Sequence, residues 1–256
     1  NIEIPLANVL ACMENRGFMA DRKGIEKFGN NLGSRIDEIK QEIYNLVGYE
    51  FNINSPKQLG TALFEKLGLP PLKKTKSGYS TGAEVLEKLA DEHPAVAYIM
   101  EYRQLSKLKS TYCDGLLKVI DETGRIHSSF NQTETRTGRI SSTEPNLQNI
   151  PVRTELGKEM RRFFTAADGC VLVDADYSQI ELRVLAHIAN DKEMCNAFIN
   201  NYDIHTITAS QVFGMPVEMV TPLMRSRAKA VNFGIVYGIG AFSLSKDIGV
   251  SIKEAD

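Results

Sequence analysis

Two carboxylates one residue apart follow an apolar run in the stretch VDADYSQIELR, residues 173–183. The run from Cys170 onward predicts a short buried strand over residues 170–175, which ends at Asp174 and Asp176. Carboxylate oxygens suit Mg²⁺, which binds one or two of them and completes its shell with water and substrate phosphates. In the alternative interpretation, the aspartates belong to a turn and cap the next helix. The residues alone leave both interpretations open.

A second segment with chemical potential is TPLMRSRAKAVNFGIVYG, residues 221–238. Thr221 as N-cap and Pro222 in the first turn predict that a helix begins here. Side chains spaced by four form a stripe of two cations and then two aromatic rings: Arg225, Lys229, Phe233 and Tyr237. Cations near a helix N-terminus can neutralise phosphates and a ring can stack on a base, which together suit a nucleoside triphosphate. The alternative is an amphipathic helix with solvated cations and aromatic residues in a second core.

A long polar segment, TETRTGRISSTEPNLQNIPVRT at residues 133–154, contains arginines and amides with little acidic balance. Arginine reaches phosphates and base edges, and Asn and Gln side chains can read bases or sugars. A polar connection of this length in a compact domain is more often functional than a spacer. A disordered linker is the alternative, and composition does not decide between the two.

The overall charge excludes a strongly basic nucleic-acid-binding protein, because the formal net charge is −2 at pH 7. Any site for a polyanion must therefore be local. Basic clusters occur at residues 102–109, in a helical pattern, and at residues 225–229. Solvated helix faces are the alternative interpretation of both clusters.

The remaining composition indicates a protein of the reduced cytosolic compartment. The four cysteines lie far apart without a C-x-x-C pair, which predicts neither a zinc site nor a disulfide framework. No run approaches about 18 consecutive apolar residues, so no membrane span is expected. The first residue is Asn1 and no signal peptide follows, so we expect the chain to be a piece of a longer protein.

Hydrophobic periodicity predicts an α+β chain, helical first and then with a small sheet among helices. Predicted helices cover residues 5–15, 22–47, 83–90, 94–120, 178–190, 191–200 and 204–213, and another begins at Ser55-Pro56. Predicted strands cover residues 126–130, 161–166 and 170–175. Asp21 and Asp203 are the expected N-caps of the helices at 22–47 and 204–213.

Three long motifs resemble one protein family, and they occur in that family's order. They are TGRISSTEPNLQNIPVR at 137–153, DYSQIELR at 176–183 and RSRAKAVNFGIVYG at 225–238. Together they closely resemble the A-family DNA polymerases, the family of the polymerase domain of bacterial DNA polymerase I. The resemblance covers the whole chain, which stops before the last palm motif of that family.

The resemblance implies a right-hand polymerase fold of the α+β class. A helical thumb would be followed by a partial palm, an antiparallel sheet with helices, and by partial fingers. Residues 1–120 would be the thumb-like part, with the start of the palm at its N-terminus. Residues 121–202 would be the palm part, with the DNA-contacting loop and the metal-binding strand, and residues 203–256 the partial fingers.

The resemblance also implies template-directed DNA synthesis, in which a dNTP is added to a primer 3′-hydroxyl by two-metal phosphoryl transfer. Asp176 would bind both Mg²⁺ ions, with the backbone carbonyl of Tyr177 as a further ligand. Lys229 would hold the triphosphate and protonate the leaving group. The partners would be primer–template DNA and dNTPs, and the complete enzyme would be a monomer in the bacterial cytoplasm, associated with the nucleoid.

Other motif positions take roles by the same resemblance. The residues that would contact the incoming nucleotide are His205 and Arg225 on the triphosphate, Phe233 and Tyr237 near the nascent base pair, and Gln179, Ile180 and Glu181 along the pocket. The residues that would contact DNA are Lys107 in the thumb-like helix and Arg139, Asn146, Gln148 and Asn149 in the polar segment. Glu181 would block a ribose 2′-hydroxyl, and its spacing from Ser178 also predicts a capping box. Asp174 has no assigned role.

One element that the family requires is missing: a second palm aspartate, carried by a His-Asp-Glu motif downstream of the fingers. The sequence has no such triplet, and the nearest acidic pairs, Asp91-Glu92 and Asp121-Glu122, follow no predicted strand. We therefore expect this chain alone to be inactive, and a non-catalytic DNA- and nucleotide-binding fragment is the alternative function. A single-subunit RNA polymerase is a further alternative, against which Glu181 and the fingers motif argue. Without the missing palm strands, the strand at 170–175 would have an exposed edge.

Overall fold

The structure, a computed structural model, describes residues 1–75, 78–152 and 154–256. Lys76, Ser77 and Arg153, the last of which ends the motif at 137–153, lie outside the described residues. The helices are α1 (Glu3–Arg16), α2 (Arg22–Val47), α3 (Pro56–Gly60), α4 (Ala83–Lys88), α5 (Pro94–Leu108), α6 (Gly115–Leu117), α7 (Glu155–Arg161), α8 (Ile180–Ala189), α9 (Lys192–Ile199), α10 (Ile204–Phe213), α11 (Pro222–Tyr237), α12 (Ala241–Ile248) and α13 (Ile252–Ala255). The strands are β1 (Phe18–Met19), β2 (Lys74–Thr75), β3 (Gly78–Tyr79), β4 (Arg125–Ile126), β5 (Ser129–Asn131) and β6 (Ser141–Thr143).

Shorter helical turns complete these elements. Wider π-helical turns continue α3 and α5 over Thr61–Lys66 and Lys109–Asp114, and 3-10 turns lie at Leu147–Asn149 and Val217–Met219. Helices with small antiparallel strand pairs confirm the predicted α+β class. Across the described ranges, no helix combines the length and the apolar character needed to cross a membrane.

Two compact units divide the chain, and we call residues 1–172 the first unit and residues 173–256 the second unit. The core of the first unit lies where α2 packs against α5 and the π-helical turn that follows it. The core of the second unit is much smaller and is centred on Leu182, Ala197 and Ile204. The first unit therefore has most of the buried apolar surface that stabilises the described chain.

Helix α2 shows how closely the sequence sets an element of the first unit. Its N-cap is Asp21, whose carboxylate accepts a hydrogen bond of 3.0 Å from the backbone N–H of Gly24. It ends at Gly48, whose φ of +90° lies in the left-handed region that glycine adopts without strain. One face is apolar, and its fully buried residues include Ile25, Ile39 and Ile43. The predicted helix and its N-cap are confirmed.

The strands form short antiparallel pairs. Strand β1 pairs with β4, with Phe18 opposite Ile126, and β5 pairs with β6, with Phe130 opposite Ser142. Strand β2 pairs with β3. The single strand predicted at 126–130 is therefore two strands, because β4 and β5 pair with different partners.

The strands predicted at 161–166 and 170–175 are wrong. Helix α7 extends to Arg161, and Phe164 makes only an isolated bridge to Ala20. Residues 171–177 have no regular secondary structure and pair with no strand among the described residues, and Val173 is 84% exposed. An apolar run becomes a strand only where a neighbouring strand satisfies its N–H and C=O groups, and no such neighbour pairs with this run in the described residues. The exposed edge expected from the sequence is therefore an unpaired segment.

The helices of the second unit largely follow the prediction. Asp203 begins α10 by accepting the backbone N–H of His205 at 2.9 Å, and Thr221 begins α11 by accepting that of Met224 at 3.3 Å. The positions of α8, α9 and α10 agree with the predicted helices to within two residues.

The capping box predicted from Ser178 and Glu181 is wrong. Helix α8 begins at Ile180, after Gln179, and no side chain caps its first turn. Gln179 has a φ of +54°, in the left-handed region, which turns the chain sharply into α8. The Ser178 carbonyl instead accepts a hydrogen bond of 2.8 Å from Nε of Arg183. The turn before α8 is therefore held by Arg183, a side chain of α8 itself, and not by the predicted capping box.

Candidate active site

The predicted triphosphate residues come together where α10 packs against α11. Arg225 donates from Nε to Oδ2 of Asp203 at 2.5 Å, while Oδ1 of Asp203 caps α10. Burial would raise the pKa of Asp203, but the hydrogen bond and charge of Arg225 outweigh it, so the pKa is lowered. One aspartate therefore begins α10 and orients the first cation of α11.

His205 lies in the same packing region and is only 2% exposed. Its ring centroid is 5.9 Å from that of Phe233, with an interplanar angle of 43°. Burial lowers the pKa of His205 below its usual value; the charge of Asp203 opposes this shift, and those of Arg225 and Lys229 support it. His205 is therefore a neutral imidazole at pH 7, able to donate from one ring nitrogen and accept at the other.

The second half of the α11 stripe presents a cation and two aromatic rings. Lys229 is exposed, and its Nζ lies 5.9 Å from the centroid of the Phe233 ring. The Phe233 and Tyr237 rings are nearly parallel, 6.3 Å apart at 10°. Tyr237 is 61% exposed. The structure thus brings together His205, Arg225, Lys229, Phe233 and Tyr237, with donors for an anion beside a flat aromatic surface.

The predicted metal ligands are held very differently. Asp176 and Tyr177 lie in the segment 171–177, which has no regular secondary structure, and Tyr177 is 78% exposed. Asp174, also exposed, precedes them in the same segment. Carboxylate and carbonyl oxygens suit a hard cation such as Mg²⁺. Within the described ranges, however, no three His, Cys, Asp or Glu side chains group closely enough to hold a metal. The oxygen donors are of the type that Mg²⁺ prefers, but the described residues do not assemble a full set of ligands.

Neither acidic pair named as a nearest candidate for the second carboxylate has the form of a palm ligand. Asp121 is part of a turn ahead of β4, where its carboxylate accepts hydrogen bonds from the backbone N–H of Arg125 at 2.8 Å and from Thr123. These bonds, together with His127 at 3.2 Å, lower the pKa of Asp121 to about 2. Asp91 lies in an exposed turn after α4. The carboxylate of Asp121 is thus already used in a structural turn.

The pocket residues predicted at the start of α8 are set by the left-handed Gln179. The Oε1 atom of Gln179 is buried and has no hydrogen-bond partner among the described residues. Ile180 is 44% exposed, and Glu181 is half-buried in the first turn of the helix. These side chains follow the segment 171–177 directly in the chain.

The polar segment at 133–154 is not a linker in its described part. Strand β6 and the turn at Leu147–Asn149 lie within it, and Ile150 belongs to the core of the first unit. The carboxamide of Gln148 donates to the Ile140 carbonyl at 2.9 Å, and the Asn149 carbonyl accepts from the Tyr112 hydroxyl. The side chains predicted to contact DNA are all exposed: Lys107, Arg139, Asn146, Gln148 and Asn149.

A cavity of about 320 Å³ lies in the first unit. Its walls are mostly apolar and include Phe18, Ile126, Phe130 and Leu172. It contains none of the residues expected to bind nucleotide, metal or DNA. Cavity volume alone therefore does not point to the predicted site residues, whereas the chemistry of the side chains on α10 and α11 does.

Two residues of this site were missed as site residues. Asp203 was expected only as a helix cap, although it also holds Arg225. Asn232 was not singled out, and its side-chain amide contacts His205 and Thr208. The spacing held a signal, because Asn232 is seven residues after Arg225 and three after Lys229, which puts all three on one face of a helix.

Comparisons with known proteins show the family of this chain. The sequence model of DNA polymerase family A matches residues 22–256. The chain is 54% identical over 256 residues to DNA polymerase I of Caldicellulosiruptor bescii, covering 100% of this chain and 30% of that protein. It is 55% identical to DNA polymerase I of Geobacillus stearothermophilus, covering 99% of this chain and 29% of that protein. The chain thus spans about 30% of the length of the curated relatives that it matches.

A solved structure is similar over almost the whole chain. It is the POL domain of Pol1 from M. smegmatis in complex with DNA primer-template and dNTP, at 40% identity and a TM-score of 0.86. The similarity covers 99% of this chain and 45% of that chain. The α+β polymerase fold expected from the motifs is therefore confirmed, and the chain belongs to DNA polymerase family A.

Proposed function

We propose that this chain is part of a DNA polymerase that adds dNTPs to a primer 3′-hydroxyl as the template directs. The observation that carries the proposal is the group on α10 and α11, where His205, Arg225 and Lys229 stand beside the rings of Phe233 and Tyr237. Donors for phosphate next to an aromatic surface match an incoming nucleoside triphosphate. The primer-template and dNTP held by the M. smegmatis relative support the same substrates here.

Each member of this group has a distinct role in the proposal. Arg225 and Lys229 bind the triphosphate as cations, and His205 donates to it as a neutral imidazole. Lys229 also gives its proton to the leaving pyrophosphate. Phe233 and Tyr237 stack near the nascent base pair, where burial of ring surface adds about 1–3 kcal/mol per base.

The metal in this proposal is Mg²⁺, held by the carboxylate of Asp176 and the backbone carbonyl of Tyr177. When bound, the metal supplies activation of the primer hydroxyl and neutralisation of charge on the phosphates. Hard oxygen donors support Mg²⁺ over softer ions. Gln179 and Ile180 line the nucleotide pocket beside this segment.

Exposed polar side chains of the first unit bind the primer–template duplex in this proposal. Lys107 and Arg139 contact phosphates, and the amides of Asn146, Gln148 and Asn149 contact the sugars or base edges. The ordered backbone of the polar segment supports this role, because residues on a fixed turn lose less backbone freedom when they bind. Salt should weaken the DNA complex in proportion to the number of phosphates contacted.

The larger organisation follows the same proposal. Residues 1–120 are the thumb-like part with the start of the palm, residues 121–202 the palm part and residues 203–256 the partial fingers. The complete enzyme acts as a monomer in the bacterial cytoplasm, associated with the nucleoid.

The test is single-nucleotide primer extension by the 256-residue chain, with Mg²⁺ and the complementary dNTP, beside a gel shift of labelled primer–template. We expect a shift without extension, as the alternative of a non-catalytic binding fragment requires. Extension would show that the ligands in these residues suffice, and that alternative would be wrong. Absence of a shift at low salt would contradict DNA binding itself.

Matched variants make the shift specific. Lys107→Met should weaken the gel shift, and Lys118→Met, an exposed lysine of the same unit, should leave it unchanged. If both variants weaken the shift equally, binding reflects general charge and the assignment of Lys107 fails.

Glu181 separates the DNA polymerase proposal from the RNA polymerase alternative. In the complete polymerase, Glu181→Ala should raise incorporation of rNTPs relative to dNTPs in a direct competition. An unmodified enzyme that already prefers rNTPs would support the RNA polymerase instead. The match to DNA polymerase family A favours the first outcome.

A further inference from the structure

A hydrogen-bonded triad links α10 to α11 beside the predicted triphosphate residues. The side-chain amide Nδ2 of Asn232 lies 3.0 Å from Nδ1 of His205 and 3.1 Å from Oγ1 of Thr208. The hydroxyl of Thr208 donates to the backbone carbonyl of Ile204 at 2.9 Å. Two side chains of α10 thus meet a single amide of α11.

The number of protons that each group can donate determines which atom is the donor in each hydrogen bond. Because the hydroxyl proton of Thr208 is used on a carbonyl, its oxygen must accept from Asn232. This places the NH₂ group of Asn232, and not its oxygen, toward α10. Its two protons then serve two acceptors, and one of these is Nδ1 of His205.

An Nδ1 atom that accepts a hydrogen bond cannot carry a proton. The proton of the neutral ring must therefore sit on Nε2, which becomes the ring's single donor. If Nδ1 were also protonated, its N–H group would face the N–H group of Asn232, and the amide of Asn232 would lose its acceptor. The triad therefore selects one tautomer and opposes the imidazolium.

The surroundings of His205 also disfavour the imidazolium. The ring is 2% exposed, which disfavours a charge there. Arg225 and Lys229 on α11 repel a cation, and Asp203, which caps α10, favours one. Helix α9 and the turn at Val217–Met219 also pack near α10, and neither adds a charge that shifts this ring.

We propose that Asn232 is a positioning residue, which holds His205 as the neutral Nε2–H tautomer so that the ring is a constant hydrogen-bond donor to the substrate phosphates. This inference rests on the proposed function, in which His205 contacts the triphosphate. The Nε2–H group of His205 then donates to the dNTP phosphates throughout the neutral pH range. A cationic histidine at the same place would bind phosphate more tightly in acid and lose that advantage above its pKa.

The first experiment reads the tautomer directly, by nitrogen-detected NMR of the histidine rings in the 256-residue chain. We expect His205 to show an unprotonated Nδ1 and a protonated Nε2 between about pH 6 and 8, without titration in that range. A ring that titrates near its ordinary pKa of about 6.5, or that carries its proton on Nδ1, would overturn the proposal. This readout needs no polymerase activity, so it stands if the proposed function fails.

The second experiment uses Asn232→Asp in the complete polymerase. A carboxylate in place of the amide accepts from Nδ1–H, so His205 should become an imidazolium at neutral pH. The KM for dNTP should then rise as pH increases from about 6 to 9, while the unmodified enzyme shows a flat KM and kcat changes less than KM. An unchanged, flat KM in the variant would overturn the inference, and loss of nucleotide binding by His205→Ala is the separate check on the proposed function.

A second variant covers a failure of Asn232→Asp to fold. Thr208→Val keeps the volume of the side chain but removes the second acceptor of the amide. The Asn232 amide can then turn, so the NMR spectrum should show a mixture of His205 tautomers. A single, unchanged Nε2–H tautomer in this variant would overturn the inference that the triad selects the tautomer of His205.

Discussion

The residues expected at the triphosphate and those expected at the metal differ in how the second unit holds them. His205 and Arg225 are fixed by side-chain contacts between α10 and α11. Asp176 and Tyr177 lie in an exposed segment that has no regular secondary structure and pairs with no strand in the part of the chain that the structure describes. Two helices near each other in sequence can build a site from their own contacts. A site at a strand end instead depends on the sheet that holds the strand.

The largest effect that tests this comparison is the loss of Asp176 from the complete polymerase. Asp176→Ala should lower turnover by at least about 10²-fold, because it removes a group that stabilises transition-state charge through the metal. DNA binding in a gel shift should remain. Asp174→Ala is the matched control two residues away and should change turnover much less. Near-normal turnover of Asp176→Ala would remove this carboxylate from the mechanism.

A pair of stability variants compares the packed helices with the unpaired segment in the 256-residue chain. Ile204, at the start of α10, is 4% exposed, whereas Val173 is 84% exposed. Ile204→Ala should lower the free energy of unfolding of the second unit by about 2–5 kcal/mol. Val173→Ala should stay within about 0.5 kcal/mol. Urea unfolding followed by circular dichroism measures both, and equal losses would mean that Val173 is packed in solution.

The ion pair between α10 and α11 predicts a smaller effect on nucleotide affinity. Arg225→Met should weaken dNTP binding by about 10–100-fold, since charged hydrogen bonds contribute about 1.5–3 kcal/mol. Asp203→Asn keeps a cap for α10 but weakens the hold on Arg225, so its loss should be smaller. Lys253→Met, an exposed lysine of α13, is the control. If Asp203→Asn has no effect, Arg225 is not oriented by this contact.

The smallest expected effect is the pH dependence of stability that His205 contributes. Its pKa is lowered by burial, so the unfolded chain takes up this proton first as pH falls. The contribution of His205 to the free energy of unfolding should therefore be fully present above the ordinary pKa of about 6.5 and decrease as the pH falls below it. His205→Gln should remove this acid-dependent loss, and His187→Gln, at an exposed position, should not. Thermal unfolding measured across this range would contradict the expectation if both variants behave like the unmodified chain.

Local signals predicted most of the helices. Asp21, Ser55, Asp203 and Thr221 each cap the helix expected of them, because a capping side chain bonds backbone groups within three residues. The stripe of α11 also follows from spacing alone. The stacked pair of Phe233 and Tyr237 is the direct result of a four-residue interval on a helix.

Non-local contacts account for the errors. The apolar run at 170–175 has the composition of a strand, but a ladder needs a second strand that no residue of the run can supply. Ser178 and Glu181 have the residue types and the spacing of a capping box. However, Nε of Arg183 donates to the Ser178 carbonyl, and the left-handed Gln179 stands at the N-cap position instead. The role of Asn232 was invisible for the same reason, because its partners are on another helix.

The sequence by itself determined the positions of most helices, the order of cations and rings along α11 and the family to which the motifs belong. These depend on residue spacing and on contacts within one or two helical turns. Only the tertiary structure decided that Asp203 holds Arg225, that Asn232 contacts His205 and that the segment with Asp176 pairs with no strand among the described residues. Such contacts join residues far apart in the chain, and packing free energy rather than local spacing selects them.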